Sequence, residues 1–258
     1  MAPSTYRKLQ DKHILFIGGS GGIGAAVAEA SLEAGAHATI TSSSQTRVDG
    51  VVASLAAAYP GSSVRGAVGD LSNPATIEDV LESIFQAAKA AQGGRPIDHV
   101  VFTAADALTL GPLDTTTPAA IAAAAHMRLV APVVVAKVAA RHLARSHRSS
   151  IVITTGSAAE RPAKGWSVVA YFAGGLASLA RALAVDLAPI RVNAVQPGPV
   201  DTALWGAHRD AVVAQQEAKV LTGRVAKVED VAEAYIWLLK DENATGSVAA
   251  TDGGELLV

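Results

Sequence analysis

Glycines at positions 18, 22 and 24 are the first residues in the chain whose spacing points to chemistry. They directly follow the apolar run 13–17 and precede an alanine-rich run that ends at Gly35. A glycine turn between a strand and a helix lets backbone N–H groups approach a pyrophosphate. A loop that binds nothing is the alternative, but a position between the first strand and the first helix favours a dinucleotide. The predicted contacts are Gly18, Ser20, Gly22, Ile23 and Gly24.

Hydroxyl side chains at the end of the second apolar run indicate which dinucleotide is bound. Enzymes that prefer NAD carry an Asp or Glu here, which binds the ribose 2′-hydroxyl and repels a 2′-phosphate. This chain has no acid at that place but has Ser42, Ser43 and Ser44, with Arg47 close behind. Hydroxyls and a guanidinium suit a phosphate, whereas the alternative is a polar loop with an ordinary surface arginine. We expect NADP(H) as the cofactor.

Alternating strand and helix patterns must position these residues. The expected strands are 13–17, 38–41, 63–68, 98–103, 150–155 and 190–195, and the expected helices include 23–34, 74–91, 118–146, 165–187 and 228–239. Such βα units predict an α/β, doubly wound Rossmann fold, with a mainly parallel sheet of about seven strands and helices on both faces. Because no linker, repeat or low-complexity segment interrupts the pattern, we expect a single NADP(H)-binding domain over residues 1–258.

Composition excludes several classes of function. A net charge of −2 and the lack of a basic run argue against a nucleic-acid partner, and the absence of cysteine excludes a thiolate nucleophile and a Cys-based metal site. We expect no metal. The polar N-terminus and the expected lack of a bilayer-spanning stretch indicate a cytoplasmic protein without a membrane partner. Only 17% of residues are charged, below the roughly 25% of a typical domain, so we expect a homo-oligomer, either a dimer or a tetramer.

Several motifs together resemble the short-chain dehydrogenase/reductase family. The glycine spacing at 18, 22 and 24 is similar to that family's fingerprint, and Asp70 follows the third strand where the family binds adenine. Residues 191–202 resemble the family's loop over the nicotinamide. The resemblance extends from about residue 10 to 254. It implies further cofactor contacts at Asp70, Leu71, Thr103, Pro197, Gly198, Val200 and Thr202.

The resemblance breaks at the residues that move protons. The family's catalytic Asn, Tyr and Lys correspond here to Arg128, Val169 and Ala173, and Gly156 lies at or next to the position of its Ser. Tyr171 is two positions from Val169, a rotation of about 200° on a helix, so we expect it to face away. A positioned general acid is worth roughly 10²–10⁴ in rate. Without this acid the reduction of a ketone should be much slower. The reduction of an iminium ion should not be, because hydride addition neutralises the cation and requires no proton.

A narrower resemblance supports an iminium substrate. Arg128 and the segment 162–166 (Pro-Ala-Lys-Gly-Trp) are similar to the fungal bifunctional reductase/Diels–Alderases of malbrancheamide-type and paraherquamide-type indole alkaloid pathways. That resemblance implies reduction of a bulky, indole-containing iminium, followed by an intramolecular Diels–Alder closure. By the same resemblance, Arg128 orients carbonyl or cofactor groups, and Trp166 stacks on the indole or walls the pocket. The segment departs from that pattern at Ala163, where those enzymes carry Asp, and at Lys164, where they carry Pro.

Two other functions stay open. A general carbonyl reductase would use water or Thr155 as its proton relay, and a catalytically inactive NADP(H)-binding protein would need neither. Structural alternatives also exist for two proposed catalytic residues, since Arg128 can pair with a nearby carboxylate and Trp166 can pack in the core. Thr155, Ser157 and His126 are also expected near the pocket, where a structural role is favoured for each.

Overall fold

Seven parallel strands form one sheet in the part of the chain that the structure describes. The computed structural model describes residues 5–258, without the side chains of 207 and 208. The strands are β1 (His13–Ile17), β2 (His37–Ser42), β3 (Val64–Val68), β4 (His99–Phe102), β5 (Ser150–Thr154), β6 (Arg191–Pro197) and β7 (Val248–Thr251). Their order across the sheet is β3-β2-β1-β4-β5-β6-β7. The predicted doubly wound Rossmann architecture is therefore confirmed. β7 lies outside the six strand segments predicted above.

The strand order reverses between β1 and β4, and this reversal opens a crevice. Open α/β sheets bind ligands at such a switch point, beyond the carboxyl ends of the strands. In the ladders, Ile17 pairs with Thr41 on one side and with Phe102 on the other. The next residues along each strand, Gly18, Ser42 and Thr103, therefore lie side by side at this edge.

Helices cover both faces of the sheet. Their bounds are α1 (Gly22–Glu33), α2 (Gln45–Ala58), α3 (Ile77–Ala91), α4 (Pro118–Ala125), α5 (Ala131–His142), α6 (Ser167–Asp186), α7 (Arg209–Glu217) and α8 (Val228–Lys240). One core contains apolar residues of α3, α5 and α6, and the other contains those of α1, α2 and α8. Side chains alternate between the two cores along a strand, as Leu15 and Phe16 do in β1, because successive residues point to opposite faces.

The prediction of a single helix over 118–146 is wrong in two respects: the helix is interrupted, and it ends earlier than predicted. α4 and α5 are separated by one π turn at His126–Val130, and α5 ends at His142. Pro132 accounts for the wide turn because it has no N–H to donate to the carbonyl four residues earlier. The N–H of Ala131 instead donates to the carbonyl five residues before it. The turn changes the direction in which its own side chains, including Arg128, leave the helix axis.

Two helical stretches have the length and apolar composition of membrane spans, contrary to the expectation from the sequence. They are Pro118–His142 and Ser167–Asp186. Both belong to the fold, since α5 packs against α3 and α6 packs against β6. Fewer than half of the residues in either stretch are buried. Both stretches therefore leave apolar surface uncovered on the outside of the chain.

Buried polar side chains form a row across the sheet near its amino end. His13 Nε2 lies 2.9 Å from Thr39 Oγ1, and His99 Nδ1 lies 2.9 Å from Ser150 Oγ. In the next strand, the guanidinium of Arg191 donates to four backbone carbonyls. Burial lowers the pKa of His99 to about 3 and also lowers the pKa of His13. Both imidazoles are therefore neutral in the folded chain near neutral pH.

Folding should be sensitive to acid through His99. In the unfolded chain its pKa is about 6.5, so below that pH the unfolded chain binds a proton that the folded chain excludes. This contribution to the free energy of unfolding is complete above pH about 6.5. It is lost by up to about 1.4 kcal/mol per pH unit as the pH falls toward the folded-state pKa of about 3. Urea unfolding between pH about 7 and about 5 measures the slope.

A matched pair of variants identifies the source of that slope. His99→Gln should flatten the pH dependence, whereas His147→Gln, which changes an exposed side chain, should leave it as in the native chain. An unaltered slope in His99→Gln would contradict the assignment.

Candidate active site

One continuous cavity of about 870 Å³ opens at the carboxyl ends of the central strands. We call it the cleft. Its dinucleotide end is lined by residues of 18–24, 41–43 and 69–72, and its substrate end contains Arg128 and Trp166. Every residue predicted from the sequence to bind cofactor or to take part in catalysis lines this cleft, with the exception of Ser44.

The turn after β1 exposes its backbone to the dinucleotide end. α1 begins at Gly22 without a side-chain cap, and its first turn carries no acidic residue. A Cβ built on Gly21 would meet no other atom within 4 Å, so the space beside this residue is open. Free N–H groups and the positive end of the helix dipole attract an anion. The turn therefore fits the pyrophosphate of a dinucleotide.

Gly18 and Gly24 are required for close packing of the backbone. Gly18 has φ of +94°, and a Cβ there would lie 2.4 Å from the backbone nitrogen of Ala104. A Cβ on Gly24 would lie 2.4 Å from the carbonyl oxygen of Gly18. Thr103 Oγ1 donates to that same carbonyl at 3.1 Å. The glycine turn and the loop after β4 are therefore locked together.

Two of the three expected serines face the dinucleotide end. Ser42 and Ser43 line the cleft together with Arg47, whose Nη2 donates to Ser43 Oγ at 3.3 Å. Ser44 departs from the expectation, because its hydroxyl accepts from the backbone N–H of Arg47 and caps the first turn of α2. Its side chain is occupied by the helix terminus, a frequent use of serine that the sequence pattern did not separate from ligand binding.

The loop after β3 is anchored to the π turn. Asp70 is exposed at the cleft, and its carboxylate accepts from the backbone N–H of Ser72, which lowers its pKa. His126 Nε2 lies 2.6 Å from the carbonyl oxygen of Leu71. His126 does not line the cleft and joins two segments of the chain, consistent with the structural role favoured from the sequence.

The loop after β6 is held against the C-terminal turn. Gly198 donates its N–H to Thr251 at 3.1 Å, and a Cβ on Gly198 would lie 2.7 Å from the Cα of Asp252. Val200 pairs with Ala226 in an isolated bridge. These contacts place the expected nicotinamide loop next to the last residues of the chain.

The positions that matched the family's Tyr and Lys face the substrate end. Val169 and Ala173 are buried on α6 and line the cleft. Tyr171 is 66% exposed and lies outside the lining, as helix geometry predicted. Among the described residues, the cleft lining contains no tyrosine. Thr155 Oγ1 donates to the carbonyl of Ala173 at 2.6 Å, so its proton is already used within the chain.

Arg128 holds the loop that follows β4. Its Nη2 donates to the carbonyls of Asp106 and Ala107, at 2.7 and 3.4 Å. The same nitrogen lies 3.1 Å from the Asp106 carboxylate, close enough for an ion pair but out of line for a hydrogen bond. The pairing alternative weighed for Arg128 is therefore present in the structure. Its Nε is buried and has no partner among the described residues.

The loop 162–166 forms the opposite wall. Pro162, Ala163 and Trp166 line the cleft, while Lys164 is exposed and lies outside the lining. The carbonyl of Gly165 accepts from the N–H of Gly111 at 3.0 Å, which joins this wall to the loop after β4.

The substrate end is mostly apolar, with a few polar groups. Its apolar walls are Leu108, Met127, Trp166, Val169, Phe172, Leu176, Leu204 and Trp205. Sequence reasoning missed the polar residues Asp106, Arg161, Gln216 and Glu255, which also line the cleft. Only Asp106 had a usable signal, because it closely follows a strand that ends at the switch point.

The fold and the cleft define a nicotinamide dinucleotide-binding Rossmann protein. Residues 6–258 match the family model described as an SDR-like Rossmann domain. The chain therefore belongs to the short-chain dehydrogenase/reductase family and is an oxidoreductase of that family.

Several similar proteins are fungal short-chain dehydrogenase/reductases. The chain is 42% identical over 258 residues to the short-chain dehydrogenase/reductase fsr5 of Gibberella fujikuroi, covering 97% of this chain and 96% of the relative. It is 38% identical over 266 residues to malC of Malbranchea aurantiaca, covering all of both chains. The solved structure of MalC, described as a reductase/Diels-Alderase, has a TM-score of 0.91 at 37% identity and covers 98% of this chain and 100% of that one.

Proposed function

We propose that the protein is an NADP(H)-dependent reductase of a cationic C=N substrate, an iminium ion, in fungal-type indole alkaloid metabolism. The observation that carries the proposal is the apolar surface of Val169 and Ala173 at the place where the family has its proton donor. The similarity of the chain to MalC, whose solved structure is described as that of a reductase/Diels-Alderase, supports the same proposal. An enzyme without that donor works best on an electrophile that needs no proton.

The balance of the reaction explains the preference. When bound, the reduced nicotinamide supplies a hydride, which carries two electrons and one proton. When this hydride adds to the carbon of an iminium ion, the C=N π electrons become the lone pair of the nitrogen. The product is a neutral amine, and no proton is needed. A ketone would instead become an alkoxide, which requires a proton donor. The hydroxyl of Thr155 already donates to Ala173, so a relay through Thr155 would first have to break that hydrogen bond.

NADPH oxidation should distinguish the two electrophiles. With an N-methyl dihydro-β-carbolinium ion, kcat/KM should exceed that for the ketone of matching shape, tetrahydrocarbazolone, by at least about 10²-fold, since the ketone lacks its general acid. Absorbance of the reduced cofactor measures both rates. Tyr171→Phe should behave as the native protein, because this side chain faces outward. A kcat/KM for the ketone comparable to that for the iminium ion would contradict the proposal, and so would a loss of activity in Tyr171→Phe.

A Diels–Alder closure after reduction is a second candidate, favoured by the cavity itself. A pericyclic closure needs a folded substrate and no acid or base. The broad apolar walls of the substrate end can impose such a conformation. With a substrate that carries both cyclisation partners, chromatography should show one stereoisomer with protein and a mixture without it.

We also propose NADP(H) as the preferred cofactor, on the basis of the β2 end. Ser42, Ser43 and Arg47 line the dinucleotide end, and the side chains of β2 that reach the cleft include no carboxylate. Arginine suits phosphate recognition because its planar donors match phosphate oxygens.

Cofactor titration tests this preference. NADPH should bind more tightly than NADH, and Arg47→Ala should weaken NADPH by about 10-fold or more while leaving NADH unchanged. Arg65→Ala removes an exposed cation outside the cleft and should leave both affinities as they are. Equal native affinities for NADH and NADPH would contradict the proposal.

A homo-oligomer formed through the long helices is proposed from their uncovered apolar surface. Val130, Val133, Tyr171 and Val185 are all more than 40% exposed on the turn before α5, on α5 and on α6. These elements adjoin one another, since a Cβ on Gly175 would lie 3.3 Å from Leu129. Large exposed apolar surface on adjoining elements favours a protein interface.

Light scattering after size exclusion should show a dimer or a tetramer. Val133→Glu should shift the mass toward the 26.1 kDa monomer, because it places a charge within the apolar surface. Tyr6→Glu introduces the same charge at an exposed residue that belongs to neither helix and should preserve the oligomer. A monomeric native protein would contradict this proposal.

A further inference from the structure

Polar atoms without partners concentrate in the cleft. Among the described residues, six buried side-chain nitrogen or oxygen atoms lack a hydrogen-bond partner. Four of them belong to residues that line the cleft, namely Asp106 Oδ1, Arg128 Nε, Gln216 Oε1 and Glu255 Oε2. The other two are histidine ring nitrogens outside it. A buried polar atom without a partner costs free energy that a correctly placed ligand recovers.

The chemistry of these atoms selects a class of ligand. Three of the four are acceptors, and two of those are carboxylate oxygens. The carboxylate of Asp106 is compensated by Arg128, whose Nη2 is 3.1 Å away. For Glu255 the described residues provide no salt bridge. Its buried oxygen therefore favours a ligand that brings a positive charge or an N–H donor.

Glu255 lies where three walls of the cleft meet. The C-terminal turn that carries it begins at Asp252, which packs against Gly198 of the loop after β6. The carbonyl of Glu255 accepts from Nη1 of Arg161, which belongs to the segment leading into the opposite wall. On the third side, a Cβ on Gly254 would lie 2.9 Å from the side chain of Leu221. The carboxylate is thus held next to the expected nicotinamide loop.

The surrounding cations leave the charge of Glu255 unbalanced. Arg161 and Lys219 also line the cleft, but both are exposed to solvent. Neither forms a salt bridge with the Glu255 carboxylate in the described part of the chain. The wall opposite, at 162–166, contributes no acidic side chain. At the substrate end, Glu255 is therefore the acidic residue without a salt bridge among the residues that the structure describes.

We propose that Glu255 is a substrate-binding residue that holds the cationic nitrogen of the substrate. The inference rests on the proposed iminium reductase and deepens it by naming the group that recognises the charge. Gln216, whose carbonyl oxygen also lacks a partner, supplies a neutral acceptor in the same cleft for an N–H group such as that of an indole.

Binding of a cation that cannot be reduced tests this role without catalysis. In calorimetry with NADP⁺ present, N,N-dimethyl tetrahydro-β-carbolinium should bind at least about 10-fold more tightly than its neutral carbon isostere, a gem-dimethyl tetrahydrocarbazole. Glu255→Gln should abolish this preference, because it keeps the shape and removes the charge. Glu255→Asp should retain part of it. Glu217→Gln removes an exposed carboxylate that does not line the cleft and should retain all of the preference.

NADPH affinity in each variant separates folding from recognition. Glu255→Gln should bind NADPH as the native protein does. Loss of NADPH binding with an intact cation preference would overturn the proposal, as would equal native binding of cation and isostere. If the cation preference follows Glu255 while no iminium is reduced, the recognition role stands and the reductase proposal fails.

Discussion

The backbone contact between Gly18 and Ala104 is the constraint on which the cleft depends. It leaves no room for a Cβ at Gly18 and sets the glycine turn directly against the loop after β4. That loop then runs to Gly111, which donates to the carbonyl of Gly165 in the opposite wall. Arg128 holds its middle through two backbone carbonyls. The dinucleotide end and the substrate end therefore share one wall.

The magnitudes of two effects support the proposed iminium substrate over a ketone. A positioned acid contributes about 10²–10⁴ in rate, which corresponds to about 3–5 kcal/mol. A charge-assisted contact contributes about 1.5–3 kcal/mol. A carboxylate such as that of Glu255 therefore does not offset the loss of the acid for a ketone, whose developing negative charge it would even oppose. For an iminium the acid is unnecessary and the carboxylate helps binding, so both effects favour the same substrate.

Sequence reasoning succeeded where local chemistry determines structure. The glycine turn requires a strand before it and a helix after it, and the positions of Val169 and Tyr171 on α6 follow from helical rotation alone. It failed where the outcome depends on contacts between distant segments or on two competing local uses. Pro132 splits the predicted helix because one N–H is lacking, and Ser44 serves as a helix cap although its neighbours face the cleft. Glu255 is far from the other site residues in sequence, and only the folded C-terminal turn brings it to the cleft.

The division of the cleft explains why family membership does not define the substrate. The dinucleotide end is built from backbone groups at strand ends, and its geometry follows from the parallel sheet and its switch point. The polar groups of the substrate end come from segments between or beyond the strands, at Asp106, Gln216 and Glu255. Such segments can change without disturbing the sheet. Similarity over the whole length therefore supports the cofactor chemistry of the family, while the choice of electrophile depends, in our proposal, on the charges of these few side chains.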